Sequence, residues 1–348
     1  MARGKRFKIG GEVVGVGKTA IVRLELPKLY TMRASPEMAV HVINGAKAGP
    51  TMFVSAAIHG DELNGVEMVR RLLLELDPKE VSGTLIAIPV VNIFGIVQYS
   101  RYLPDGRDLN RSFPGSAKGS MASRLAAVFF DEIVERCDYG IDLHTGGGHR
   151  ANLPQIRANL GDQETRELAK AFGVPVLIDS NGIKGTLRKA AIDSGVKVLL
   201  YEAGAALRFD EVSIVAGVQG IKTVMQLIQM LSGDPEQQAE PYIAKASRWV
   251  RSTESGIFHS NVKLGDSVNK GTVVGFICNP SDCFADVRHN IESPLEGVVI
   301  GLTRIPLVNE GDALLHLATF DDSEEVADEV DDFHASIVAP GNVSGAFS

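Results

Sequence analysis

Histidine and glutamate residues in two separate segments have the types and spacing of metal ligands. His59 and Glu62 lie in the sequence HGDE, and His144 lies far downstream in YGIDLHTGGGH. A catalytic zinc site takes three such ligands and leaves a fourth position open for water. One loop can present both His59 and Glu62, and Gly60 allows the backbone to bend between them. We predict that these three residues bind one zinc ion per chain, although HGDE alone is more often a solvated loop.

His144 ends an apolar segment and precedes three glycines. A rigid strand would therefore hold its ring, and the glycines would let the backbone pack closely around a ligand. A packed histidine at a strand end is the alternative interpretation. His149 is a competing third ligand, but it lies beyond the flexible glycines, so we favour His144. Asp142 shares a strand face with His144 and is a candidate to orient it from outside the metal site.

Glu202 is the candidate general base and acid. It lies at the end of the apolar segment VKVLLYEAG. Hydrolysis of an amide needs a group that takes a proton from the attacking water and returns it to the leaving amine. A surface glutamate just past a strand end is an equally good interpretation of Glu202 taken by itself.

The segment SRYLPDGRDLNRSFPG crowds three arginines around turn residues. The planar donors of arginine suit a carboxylate, and asparagine can fix the orientation of the same group. Asn110 and Arg111 are thus candidates to bind a substrate carboxylate, and Arg101 or Arg107 is a candidate to stabilise the oxyanion. A solvated loop whose arginines pair with its own aspartates is the alternative interpretation.

The candidate side chains follow apolar segments that read as strands. His59 follows MFVSAAI, His144 follows YGIDL and Glu202 follows VKVLL. Strands alternate with helical patterns over this region, which predicts an α/β domain with a mixed, mainly parallel sheet flanked by helices. Ligands of such sheets lie beyond the carboxyl ends of the strands. The segment 38–58 additionally predicts a hairpin or two adjacent strands.

Composition and sequence pattern divide the chain into three parts. Residues 1–240 form the predicted catalytic α/β domain, and the polar, proline-containing segment GDPEQQAEP precedes the boundary. Residues 241–320 show short β segments and turn signals, which predict a smaller, barrel-like all-β module. Residues 321–348 are acidic and then small and polar, which predicts a flexible tail.

Composition limits the classes of partner and the cellular location. The 35 basic and 43 acidic residues give a net charge of -8, the wrong sign for a general nucleic-acid binder. The sequence lacks an apolar run long enough for a membrane helix and the pattern of a secretory signal. Its three cysteines do not form a disulfide framework pattern. We therefore expect a cytoplasmic protein without nucleic-acid or membrane partners.

Four motifs taken together resemble one enzyme family. HGDE, DLNRSFPG, DLHTG and YEAG occur in this order, and the set resembles the succinylglutamate desuccinylase and aspartoacylase family, relatives of the zinc carboxypeptidases. The resemblance covers roughly residues 59–202, and a similar overall pattern continues to about residue 231. It implies a zinc carboxypeptidase-like fold and an enzyme that hydrolyses linear amides of N-acylated amino acids.

The resemblance also implies roles for individual residues. His59, Glu62 and His144 correspond to the family's metal ligands, and Glu202 corresponds to its catalytic glutamate. Asn110 and Arg111 match the pair that holds a substrate carboxylate.

The family's oxyanion arginine precedes DLNR, which points to Arg101, although Arg107 lies between the two.

The β module resembles a biotinyl or lipoyl carrier fold that has lost its function as a carrier. The corresponding hairpin reads CNPSDCFADV and contains no lysine for the prosthetic group. This favours a scaffold, a lid or an oligomerisation element over a swinging arm.

The predicted function is a zinc-dependent deacylase for a small N-acyl substrate that bears a carboxylate. Candidate substrates are N-succinylglutamate, N-acetylaspartate, an acetylated diamino acid such as acetyl-diaminobutyrate, or another acylated metabolite. The added β module favours the last two over succinylglutamate. A zinc carboxypeptidase acting on peptides and a non-catalytic metal-binding protein are the alternatives, and a homo-oligomer is compatible with the sequence.

Overall fold

The structure is a computed structural model that describes residues 4–30, 32–235, 239–281 and 287–338. Its strands, numbered in chain order, are β1 (Phe7–Ile9), β2 (Glu12–Val14), β3 (Lys18–Glu25), β4 (Glu37–Asn44), β5 (Lys47–Ala56), β6 (Ser82–Ile88), β7 (Tyr139–Gly146), β8 (Arg150–Ala158), β9 (Val176–Asp179), β10 (Lys197–Ala205), β11 (Tyr242–Ala244), β12 (Ala246–Arg251), β13 (Gly256–Ser260), β14 (Ser267–Val268), β15 (Val273–Cys278), β16 (His289–Glu292), β17 (Gly297–Thr303), β18 (Leu307–Val308) and β19 (Ala313–Thr319). The helices are α1 (Asn64–Glu75), α2 (Ile93–Val97), α3 (Met121–Glu132), α4 (Gln163–Ala171), α5 (Leu187–Asp193), α6 (Glu211–Leu227) and α7 (Ser323–Val338). Two short 3-10 helices cover Leu109–Arg111 and Val134–Arg136.

A large mixed sheet forms the centre of the molecule. Its middle strands run parallel in the order β10, β7, β5, β6. Antiparallel strands β4 and β3 extend the sheet beyond β6, and antiparallel β8 and β17 extend it beyond β10. The predicted α/β architecture with a mixed sheet and a C-terminal β module is thus confirmed.

The hairpin or adjacent strands predicted over residues 38–58 are wrong. β4 and β5 occupy this segment, but β6 lies between them in the sheet. Both strands are largely buried and apolar, so either could pair with any buried strand. Local sequence therefore identifies the strands without fixing their partner.

Helices cover both faces of the central strands. Side chains of β5 alternate between the two faces, because successive residues of a strand point in opposite directions. Phe53 packs in the core that includes Phe129 of α3, whereas Met52 and Val54 pack in the core that includes Met68 of α1. This three-layer arrangement buries the strands on both faces and leaves their carboxyl ends for polar side chains.

Helix α3 shows how the local sequence defines an element. Ser120 precedes the helix, and its side chain accepts a hydrogen bond from the backbone N–H of Ser123. Such a cap satisfies a helix donor that has no partner within the helix. Leu125 and Phe129, four residues apart, are both fully buried against the sheet.

The C-terminal β strands join the central sheet. In β17, Gly301 pairs with Asn152 of β8 and Leu302 pairs with Ala151. β19 and β12 continue this sheet, while β16, β15, β13 and β18 form a separate four-stranded sheet. Strand pairing therefore crosses the proposed domain boundary at residue 240. The hairpin in which the carrier lysine is missing lies partly outside the described residues, at 282–286.

The structure differs from the expected flexible tail over residues 323–338. This segment forms α7, in which Val326 and Val330 are buried against the sheet. The acidic residues that suggested a solvated tail occupy the opposite, exposed face of an amphipathic helix. Residues 339–348 lie outside the described part of the chain.

In the described part of the chain, none of the helices combines the length and the apolar character needed to cross a membrane.

We predict that Val330→Asp lowers the free energy of unfolding by about 3 kcal/mol or more, because it buries a carboxylate among apolar side chains. Val330 is only 1% exposed and packs against the sheet through α7. Denaturant unfolding at pH 7 measures the change.

The matched control is Ala335→Asp, which adds the same charge at an exposed position of the same helix. A Val330→Asp protein as stable as this control would show that α7 does not contribute to the packed core.

Candidate active site

Three neighbouring parallel strands bring the predicted site residues together. β5 leads into His59, β7 carries His144 near its carboxyl end and β10 carries Glu202, and these strands are adjacent in the sheet. His144 and Glu202 are partners in the register between β7 and β10. Neighbouring strands lie about 4.8 Å apart, so residues distant in sequence share one edge of the sheet.

His59, Glu62 and His144 form a buried cluster. One ligand atom from each side chain lies within 4.8 Å of the other two. The Nδ1 atom of His59 is 2.8 Å from Oε1 of Glu62, and the Nδ1 atom of His144 is 2.8 Å from Oε2. Glu62 is 2% exposed, so its carboxylate depends on these two rings for compensation.

Two aspartates hold the outer nitrogens of the rings. Nε2 of His144 is 2.8 Å from Asp142, which also accepts a hydrogen bond from the Ser55 hydroxyl. Nε2 of His59 is 3.2 Å from Asp108. Metal-binding histidines almost always donate their second N–H to such a partner.

The cluster therefore fits a divalent metal ion in donor type, in compactness and in the support behind its ligands. Asp142 has the orienting position expected from its spacing to His144.

In the cluster, the buried negative charge of Glu62 is compensated by the two neighbouring histidines. Burial raises the pKa of the Glu62 carboxyl, but His59 and His144 outweigh it and hold this pKa below its ordinary value. Burial lowers the pKa of His144, whereas Asp142 and Glu62 together raise it well above the ordinary value. The charged form of each of these groups is therefore favoured by its oppositely charged neighbours.

Gly60 has a different role from the one expected. A Cβ atom on Gly60 would lie 1.9 Å from the backbone carbon of Gly95 in α2. Gly60 thus allows the loop that carries His59 and Glu62 to pack directly against the backbone of α2. Close approach, more than bending, explains the glycine.

Of the two candidate oxyanion arginines, Arg101 lies at the cluster. Its Nη1 atom is 3.5 Å from Oε1 of Glu62, and its Nε and Nη2 atoms donate to Asp108 at 3.0 and 2.8 Å. Arg107 is largely exposed and pairs with Asp105, away from the residues that line the cavity. The alternative of a loop with internal arginine–aspartate pairs is therefore correct for Arg107, whereas Arg101 contacts both its own aspartate and the site.

Asn110 and Arg111 line the same cavity from the loop after Asp108. Asn110 is buried, and its side-chain oxygen accepts a hydrogen bond from the backbone N–H of Leu187. This bond fixes the amide and turns its nitrogen away from Leu187. Arg111 is exposed, and its guanidinium donates to the backbone oxygen of Asn110. The pair has the donors needed to bind a carboxylate.

The competing ligand His149 lies apart from the cluster. It is exposed and does not line the cavity, whereas His144 is 4% exposed and belongs to the cluster.

The cavity has a volume of about 510 Å³ and a strongly cationic lining. Its carboxylates are Glu62 and Glu202, and its arginines are Arg101, Arg111, Arg150, Arg157 and Arg188. Arg188 is buried and Arg157 is partly buried, and the buried Nε atom of each has no hydrogen bond among the described residues. Burial, followed by the nearby Arg157 guanidinium, lowers the pKa of Arg188 to about 10. Such donors suit an anionic group of a ligand.

Sequence reasoning missed the residues that β8 and β12 contribute. Arg150, Asn152 and Arg157 lie along β8, and Trp249 of β12 brings the C-terminal β module into the cavity lining. The indole ring of Trp249 stacks on His316 with 4.3 Å between ring centroids. None of these residues belongs to a local motif. The only sequence signal for Arg150, Asn152 and Arg157 is a polar side chain within a strand, and Trp249 has no such signal.

Glu202 faces this cavity with its side chain 18% exposed. Its Oε2 atom accepts a hydrogen bond of 2.6 Å from the Asn152 amide, and its Oε1 atom is 3.9 Å from Nε of Arg157. The register of β10 shifts directly after Glu202 against both neighbouring strands. Irregularities of this kind commonly re-aim a side chain beside an active site.

Comparisons with known proteins identify relatives over most of the chain. Residues 48–228 match the succinylglutamate desuccinylase/aspartoacylase catalytic domain. The chain is 29% identical over 283 residues to an N-alpha-acetyl-L-2,4-diaminobutyric acid deacetylase of Halomonas elongata, covering 78% of this chain and 82% of that protein.

Solved structures show the same architecture. A succinylglutamate desuccinylase/aspartoacylase from Rhodobacter sphaeroides aligns with a TM-score of 0.79 and 26% identity over 87% of this chain and 95% of that one. The product-bound ectoine utilization protein EutE (DoeB) of Ruegeria pomeroyi shares the fold, with a TM-score of 0.78 and 24% identity over the same shares. The catalytic-domain match spans more than half of the chain and contains His59, Glu62, His144 and Glu202. The protein therefore belongs to the succinylglutamate desuccinylase/aspartoacylase family of amidohydrolases, as its four motifs predicted.

Proposed function

We propose that this protein is a zinc-dependent deacylase that hydrolyses the amide bond of a small N-acyl amino acid or related amine. The observation that carries the proposal is that the His59, Glu62 and His144 cluster and the Glu202 carboxylate line one cavity. Three ligands and a separate acid are the parts that metal-assisted amide hydrolysis needs. One zinc ion per chain is expected at the cluster.

A zinc ion bound there would polarise the scissile carbonyl and make water more acidic. Glu202 takes a proton from the attacking water as the new carbon–oxygen bond forms. It then delivers this proton to the amide nitrogen, so the carbon–nitrogen bond breaks and a carboxylic acid and a free amine result. We infer that Arg101 stabilises the negative charge that develops on the carbonyl oxygen, and the 3.5 Å distance between its guanidinium and Glu62 of the metal cluster supports this role.

Asn110 and Arg111 are proposed to hold a carboxylate of the substrate. Both line the cavity, and the Asn110 amide, held through its oxygen by Leu187, and the guanidinium of Arg111 supply hydrogen-bond donors. The buried Arg188 and the partly buried Arg157 create an environment that favours a second anionic group of the substrate over a cationic one. The Halomonas relative is named for a substrate with an amine side chain, so acidic and diamino N-acyl substrates are the two classes to compare.

The two alternatives have less support. A carboxypeptidase must admit a peptide, but here Trp249 of the β module forms part of the wall of a cavity of about 510 Å³. A non-catalytic metal-binding protein does not need an acid beside the metal ligands, yet Glu202 faces the same cavity.

We predict that Glu202→Gln lowers kcat by about 100- to 10,000-fold while zinc remains bound, because the amide cannot take the proton from water. Steady-state kinetics and metal analysis of the purified protein measure the two effects. Glu296→Gln, an exposed glutamate in the β module, serves as the matched control. Near-normal turnover of the Glu202 variant would reject the proposed mechanism.

We predict that Asp142→Asn weakens zinc binding by about 10- to 100-fold, because His144 loses the charge that orients its ring. Competition with a coloured chelator gives the affinity without relying on activity. Asp138→Asn is the control, since Asp138 is exposed and lies just before the same strand. Equal affinities of the two variants would contradict the proposed role of Asp142 in orienting His144 for metal binding.

We predict that N-acyl amino acids are hydrolysed with a kcat/KM about 10- to 100-fold above that of N-acyl amines without a carboxylate, the range expected for charged hydrogen bonds. Dipeptides are expected to react more slowly still. The assay measures acid release across acetylated and succinylated amino acids with acidic, neutral and amine side chains.

Arg111→Ala should remove most of this preference through a higher KM, with zinc content unchanged. Arg23→Ala, an exposed arginine on the edge strand β3, is the control. An unchanged KM for Arg111→Ala would argue against the carboxylate site, and faster cleavage of dipeptides would favour the peptidase.

A further inference from the structure

We propose that Asn152 is a positioning residue that orients the Glu202 carboxylate, and that Gly301 of the C-terminal β module leaves the space this arrangement needs. The inference rests on the proposed function, since it assigns Asn152 a task only if Glu202 transfers protons. It links a strand of the β module to the reacting centre through one buried amide.

The contact between Asn152 and Glu202 is short and sheltered. The Asn152 amide nitrogen donates to Oε2 of Glu202 at 2.6 Å, and Asn152 is 6% exposed. The amide must present its nitrogen, because an amide oxygen at this distance would repel the carboxylate. The two residues lie on the antiparallel neighbours β8 and β10, so the sheet itself fixes their separation.

Glu202 needs such support because its backbone leaves the regular ladder at this point. Against β8, the register of β10 shifts between Glu202 and Gly204, and it also shifts against β7. Such an irregularity bends the strand and re-aims its side chains, so the regular ladder does not by itself set the direction of the Glu202 carboxylate. The Asn152 bond sets this direction by holding one carboxylate oxygen.

An asparagine suits this task because its amide donates a hydrogen bond and remains neutral at every pH in the working range. With Oε2 held by Asn152, Oε1 remains to exchange a proton with the substrate and water. A histidine could itself take the proton, and an arginine at the same distance would favour the charged form of Glu202 far more strongly. The neutral amide of Asn152 therefore fixes the direction of the Glu202 carboxylate without adding a positive charge to it at hydrogen-bond distance.

Gly301 makes room for Asn152 from the side of the β module. Gly301 is the register partner of Asn152 on β8 and of His316 on β19. A Cβ atom on Gly301 would lie 3.1 Å from Oδ1 of Asn152 and 3.1 Å from Cβ of His316. Contacts this short would push the Asn152 side chain, and so the proposed anchor of Glu202 depends on a glycine of the module.

The test replaces Asn152 with residues of similar size that cannot donate. We expect Asn152→Leu to lower kcat by about 10- to 100-fold, the range for a lost hydrogen bond to a charged group, with KM within about twofold and zinc content unchanged. Asn152→Asp keeps the shape of the side chain, places a like charge beside Glu202 and should lower kcat at least as much. Thermal unfolding identifies a variant that is only misfolded, and Asn290→Ala, at an exposed asparagine of β16, is the control.

A double-mutant cycle separates positioning from a general structural effect. In the Glu202→Gln background, Asn152→Leu should cause no further loss of kcat, because Asn152 acts through Glu202. The same fold-loss in both backgrounds would overturn the proposal, as would wild-type kcat in well-folded Leu and Asp variants.

Gly301→Ala should lower kcat in the same direction, by less than Asn152→Leu and without loss of zinc. An unchanged kcat for Gly301→Ala would show that Gly301 of the β module is not needed to position Asn152. If Glu202→Gln itself keeps near-normal turnover, the proposed function fails. If Glu202→Gln is impaired while the Asn152 variants are active, only the positioning role fails.

Discussion

The site depends on the compensation of one buried negative charge. The Glu62 carboxylate is almost inaccessible to water and has an imidazole nitrogen 2.8 Å from each oxygen. A buried charge without such partners costs several kcal/mol. The fold must therefore bring His59 and His144 to the same place, which requires β5 and β7 to be neighbours. Asp142 and Asp108 extend the alternation of charges outward from the two rings.

The sequence was most informative where chemistry follows a buried strand. Parallel strands of an α/β domain place their carboxyl ends on one edge, so His59, His144 and Glu202 could be expected to meet before their distances were known. His144 could be preferred over His149 for the same reason, because a strand fixes a side chain better than a glycine-rich loop does. The order of the four motifs then identified the family, which the match to residues 48–228 confirms.

The strand order and the additional cavity residues depend on pairing between distant segments, which local sequence does not determine. β6 lies between β4 and β5, and no property of these apolar strands requires that order. Arg157 and Asn152 enter the cavity because β8 runs antiparallel beside β10. Arg188 enters it from a short helix. The amphipathic pattern of α7 was hidden by its acidic composition, since burial of Val326 and Val330 needs only one face of the helix.

The pairing of β17 with β8 has a consequence for how the protein can be divided or recombined. If the β module were cut away, residues 150–152 of β8 would lose their hydrogen-bonding neighbours and become a bare sheet edge. An uncovered edge is a template for association with other chains. A truncated catalytic half would thus tend to aggregate, and a module exchanged between homologues would have to bring a matching strand with a small residue opposite Asn152.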